Sequence, residues 1–180
     1  MLTYEDLTAW AGAEHVFQAD PANLASWSIP EHQKALLVHI GVPIIDQLIE
    51  HVAFQTDPAP ALQTTSGSVL YQVSRNHHGN LVTGLEWAFG VEPGTGRVYY
   101  VLPDGEAWFA NSSIDLWLHT LHHYGRHVAQ SPILNDPDEH EDEALAELRA
   151  LAEELKGIDP PAFEGYLGFI WAEFLERWLW

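Results

Sequence analysis

Gly96-Arg97-Val98-Tyr99-Tyr100-Val101-Leu102-Pro103-Asp104-Gly105-Glu106-Ala107-Trp108-Phe109-Ala110-Asn111-Ser112-Ser113 decides the fold. Two runs of β-branched and aromatic residues flank Asp104-Gly105, a dipeptide that accepts the positive φ of a tight hairpin turn. Asn111-Ser112-Ser113 then offers side-chain oxygens to cap a helix, with Asp115 in the favourable first turn. The helix that follows, Ile114 to His127, carries Ile114, Leu118 and Leu121 at helical spacing.

Upstream, Val69 to Ser74 alternates as a strand does, and Leu81 to Val91 is rich in Val, Leu, Trp and Phe. Pro93-Gly94-Thr95-Gly96 is a turn, so neighbouring strands follow one another through short connections and form an antiparallel meander. Nearer the N-terminus, Thr3 with Asp6 predicts a short helix through Trp10, ended by Gly12, and His15-Val16-Phe17 a short strand. Pro30 opens a helix with Leu36, Leu37 and Ile40 on its apolar stripe, and Gly41 stops it before Val42-Pro43. Downstream, an acidic stretch from Asn135 to Glu143 leads into an amphipathic helix, Ala144 to Leu155, closed by Lys156-Gly157. Asp159-Pro160-Pro161 separates it from a last helix, Glu164 to Trp180, apolar on most faces. The expected class is α+β: a central, mainly antiparallel sheet flanked by helices, in one domain over residues 1–180.

Composition narrows the function. Of 180 residues, 26 are Asp or Glu and 7 are Lys or Arg, a formal charge of −19. Such a chain lacks the cations that release counterions from a phosphate backbone, which argues against nucleic acid and against anionic membrane surfaces. Its field attracts a basic protein, or serves solubility alone. With no cysteine there is no disulfide framework, thiolate nucleophile or cysteine zinc site. Met1 to Asp6 shows no basic and apolar signal pattern, and no apolar run is long enough to span a bilayer, so a cytoplasmic location is expected.

Three clusters invite chemistry. Asp115, His119, His123 and His127 fall at four-residue steps on one helix, a spacing from which histidines can chelate a divalent metal. No His-Glu-x-x-His arrangement supplies a general base, and histidines on a half-exposed helix are ordinary, so His119, His123 and His127 remain weak metal candidates. His77-His78 lies in an Arg75 to Asn80 turn between strands, where a plain hairpin accounts for the residues. The acidic run Asp136, Asp138, Glu139, Glu141, Asp142 and Glu143 fails as a calcium loop, because Glu141 stands where glycine is needed and Pro137 lies inside it. It remains either a surface for a basic partner or a solvated helix start. No serine sits in a nucleophile elbow, and Pro93 to Gly96 leads to no phosphate-loop lysine. Most tryptophans read as core, with Trp178 and Trp180 open to a role as partner anchors.

Two pieces in this order, Leu36-Leu37-Val38-His39-Ile40-Gly41-Val42-Pro43 at a helix end and Trp108 to Leu118 passing from strand through Asn-Ser-Ser into a helix, resemble the SUKH superfamily, closest to its fourth group of bacterial immunity proteins. The resemblance covers about residues 30–125, with the helix from Tyr166 a third piece. It implies a SUKH-like α+β fold and a non-enzymatic role without cofactor: binding and neutralising a cognate toxin, often a nuclease or deaminase, which the acidic composition separately expects to be basic. It makes Gly41, Pro43, Asn111, Ser112 and Ser113 motif positions of structural character. Within the acidic helical C-terminal part, 135–180, the acidic insert Asp136 to Glu143 lies outside the pattern. The competing readings are a metal-dependent hydrolase on the histidine helix and a general protein-interaction module of the same fold.

Overall fold

In a computed structural model of the chain, which describes residues 1–56, 60–76, 86–137 and 140–178, five strands form one antiparallel sheet. These are β4 (Ala61–Gln63), β5 (Val69–Gln72), β7 (Ala88–Val91), β8 (Val98–Val101) and β9 (Ala107–Asn111), neighbours in that order. The hairpin forms where Asp104-Gly105 places it, with Gly105 N–H donating to the Leu102 carbonyl at 2.8 Å. Two smaller pairs complete the strands: β1 (Val16–Phe17) with β2 (Val42–Pro43), and β3 (His51–Val52) with β6 (Ser74–Arg75). The class is α+β as expected. Strands β3 and β4 were not anticipated, being too short to show a period, and the predicted Leu81 to Val91 strand is observed only from Ala88, residues 77–85 lying outside the described ones.

Register decides which side of the sheet meets the helices. Phe89 lies opposite Tyr100, and Tyr100 opposite Trp108, so these three share a face. Phe89 meets Trp117 of α3 (Ile114–Gln130) with ring centroids 5.1 Å apart, which identifies that face as the inner one. Around it pack α1 (Tyr4–Ala11), α2 (Glu31–His39), α4 (Pro132–Asn135), α5 (Glu141–Ile158) and α6 (Ile170–Glu176). Trp117, Trp171, Phe54 and Phe89 are the largest fully buried side chains, each removing roughly 150–250 Å² from water.

The helices begin where local chemistry predicts. Thr3 and Asp6 form a reciprocal capping box on α1, and the Ser113 hydroxyl accepts from Leu116 N–H at 3.2 Å to start α3. Two endings differ from the sequence reading. Helix α5 starts at Glu141 and runs through Gly157 to Ile158, because Asp159 N–H still donates to Leu155 and only Pro160 breaks the series. The last helix is confined to Ile170–Glu176. Before it come a 3₁₀ turn over Pro160–Phe163 and a loop in which Gly168 takes φ +83°.

One buried amide ties helix α2 to the sheet and to α3. Gln33, 4% exposed, donates to the Thr95 carbonyl at 3.2 Å and accepts from Ile114 N–H at 3.0 Å. Gly96 sits directly against it at φ +76°, and a Cβ there would fall 2.2 Å from Gln33 Oε1. Gly94, at φ +82°, has open space around it. Gly94→Ala should therefore cost only the left-handed penalty, about 1–2 kcal/mol, whereas Gly96→Ala adds overpacking for a total of about 2–5 kcal/mol. Urea denaturation of the two variants should separate them in that order, and equal losses would show that the Gln33 contact carries no weight.

Candidate functional site

The Asn-Ser-Ser junction is a buried polar knot. Asn111, fully buried, donates to Asp159 Oδ2 at 3.0 Å and to Thr120 Oγ1 at 3.1 Å, and accepts from the Trp171 indole at 3.0 Å. Ser112 gives Asp159 two more hydrogen bonds, from its backbone N–H at 2.7 Å and its hydroxyl at 2.8 Å. Strand β9, helix α3, the end of α5 and helix α6 all meet here. Each polar group is satisfied inward, so the knot holds the fold and offers no free group to a substrate. Gly41 permits the close approach of β1, since a Cβ there would stand 2.8 Å from the Phe17 carbonyl oxygen, and Pro43 pairs with Val16.

The histidine ladder does not converge. His119 leans toward Asp115 at 3.8 Å, and His127 Nε2 is 2.8 Å from Glu147 Oε1 on α5. Next in line, His122 Nδ1 accepts from the Trp10 indole of α1 at 3.1 Å. Burial lowers His122 below its ordinary value of 6.5, helped by the Arg126 charge, and acts on His123 in the same order. Among the described residues no three histidine or acidic side chains gather in a metal-holding arrangement. His77 and His78 lie outside the described residues.

Of the acidic run, Asp136, Glu141, Asp142 and Glu143 are exposed, the last three forming the first turn of α5. Asp138 and Glu139 lie outside the described residues, as does Trp180. Trp178 points inward instead of outward: its indole donates to the Tyr124 hydroxyl at 2.7 Å.

A feature that sequence reasoning missed is a groove of about 650 Å³ between the sheet and α6. Its sheet wall is Trp87, Tyr100 and Trp108, and its helix wall Ile170, Glu173 and Phe174. Trp87 and Tyr100 stack at 5.8 Å between centroids. Gln47 contributes from a loop, held at φ +63° with its carbonyl accepting from Asn76 at 2.7 Å. The alternation of Tyr100 and Trp108 looks like ordinary core, because the same face is core where Phe89 and Ala110 lie.

The His122 acceptor has a titration consequence. Its folded pKa lies below the unfolded one, so its contribution to stability is complete above about 6.5 and is lost as pH falls through the lowered folded value. His122→Gln, which keeps an acceptor for Trp10 without titrating, should flatten the decline in melting temperature below that pH. Asp159→Ala should cost about 2–5 kcal/mol in urea denaturation, because it removes three hydrogen bonds, one from the buried Asn111 amide and two from part-buried Ser112; a loss under about 1 kcal/mol would contradict the knot.

No curated protein and no solved structure matches the chain. A family model does: that of the SUKH-4 immunity protein, over residues 2–177. The match reaches well beyond the segment of about 30–125 that carries the resemblance in sequence. It takes in both the acidic start of α5 and the groove beside α6, and on its extent the chain belongs to the SUKH-4 immunity protein family.

Proposed function

We propose that this chain binds a basic polymorphic toxin, of nuclease or deaminase type, in the cytoplasm and neutralises it by occlusion. The observation that carries this reading is the family match across residues 2–177. The charge of −19 supports it physically, because a cationic enzyme built to hold nucleic acid is attracted to an acidic surface. Neutralisation by occlusion requires no bond-making step and no cofactor, only a complex that outlives the toxin's encounters with its substrate.

The exposed carboxylates of Asp136, Glu141, Asp142 and Glu143, with Asp138 and Glu139 beside them in sequence, are the proposed steering surface. Such charges act mainly on the rate of encounter and on its salt dependence, less on the lifetime of the complex. They also stand at a helix N-terminus, where acidic residues are favoured for local reasons, so a solvated cap is the competing role.

Cells expressing the toxin encoded beside this gene should survive when the chain is co-expressed, and a failure of protection would refute the reading. Asp136→Asn with Glu141→Gln, Asp142→Asn and Glu143→Gln should slow association about tenfold at low salt and flatten its dependence on ionic strength. Unchanged rates would assign the cluster to solvation of α5 alone.

A further inference from the structure

We propose that the groove between the sheet and α6 is the anchoring site for the toxin, taking a segment that presents an arginine or lysine beside an apolar residue. This rests on the immunity reading above and adds the contact that it leaves open.

The groove is built for a cation with an apolar stem. Three aromatic side chains, Trp87, Tyr100 and Trp108, form one wall, and aromatic faces attract cations. Opposite them stands Glu173, only 5% exposed, whose two carboxylate oxygens make no well-formed hydrogen bond among the described residues. It is met by an ion pair from Arg177, a turn further along the chain, and the Tyr166 phenol also reaches toward it. Arg177 itself lines the groove, but its side chain is 73% exposed, so it can swing into water at little cost and yield its place to an incoming cation. A buried carboxylate needs a cation to offset its lost hydration, and an incoming guanidinium or ammonium serves as well as the resident one. The Trp108 indole N–H in the same wall is also buried, with no acceptor among the described residues.

The rim supplies the apolar half. Leu167, which lines the groove, is 79% exposed, whereas its neighbour Tyr166, 47% exposed, lines a separate depression with Leu175 and Glu176 of α6. They are held out by a loop pinned to β9, where Phe109 N–H donates to the Gly168 carbonyl at 2.7 Å. An exposed leucine on a pinned loop, at the mouth of an aromatic groove with a buried acid, fits a protein segment better than a small solute.

The test uses the full-length chain and the toxin domain encoded beside its gene. Leu167→Asp should leave melting temperature unchanged and lower affinity in calorimetry at least about tenfold, with loss of protection in cells. Glu173→Gln should weaken binding by a comparable factor. In ¹H–¹⁵N spectra the indole resonance that Trp108→Phe removes should shift when toxin is added. If Leu167→Asp binds within about twofold of the unsubstituted chain and that resonance stays put, the toxin docks elsewhere and the groove proposal fails while the immunity reading stands. If the unsubstituted chain neither binds nor protects, the immunity reading fails and takes the groove with it.

Discussion

The carboxylate of Asp159 holds four elements in register. It sits 2% exposed at the end of α5 and collects the Ser112 N–H, the Ser112 hydroxyl and the Asn111 amide from the junction of β9 and α3. Through the other side of Asn111 it reaches Trp171 and so α6. A buried acid is costly to desolvate, and three converging donors are what make it tolerable. Because those donors come from one short turn, the end of α5 has only one place to dock. The polar knot therefore specifies an arrangement that apolar burial alone would leave loose, since many packings of Leu and Trp are close in free energy.

That constraint also shapes the surface. With α5 pinned at its C-terminal end, its N-terminal turn of Glu141, Asp142 and Glu143 projects into solvent. With α6 tied through Trp171, its Glu173 and Phe174 are set across from Tyr100 and Trp108. The acidic turn and the aromatic groove are thus two products of one internal anchor. The Asn-Ser-Ser junction of the resemblance serves the fold, while the acidic turn lies outside it and the groove takes Trp108 from its edge.

What was legible in the sequence was what is decided locally. The Thr3–Asp6 capping box, the Asp104-Gly105 turn and the Ser113 cap each act within a few residues, and each appears where expected. What was not legible depends on distant partners. Gly157 reads as a helix stop, yet a glycine inside a helix costs only about 1 kcal/mol, and burial of Leu155 and Asp159 overrides it. The apolar stretch from Glu164 reads as one helix, yet Phe169 bridges to Phe109 on β9 and divides it. The spacing of His119, His123 and His127 was visible, but not that Glu147, on another helix, takes His127. The groove was invisible for the same reason: its walls come from strands and a helix more than sixty residues apart.

The bridge between Phe109 and Phe169 has a bearing on the edge of the sheet. Strand β9 is the last of its sheet, and such a strand ordinarily presents a ladder of unpaired amides on which a second molecule can add. Here Phe109 already donates to Gly168, and the phenyl rings of Phe109 and Phe169 close over the seam at 6.0 Å between centroids. The opposite margin, β4, has only three residues, Ala61–Gln63. With one margin partly covered by its own chain and the other only three residues long, the sheet offers little open edge for a second molecule to extend.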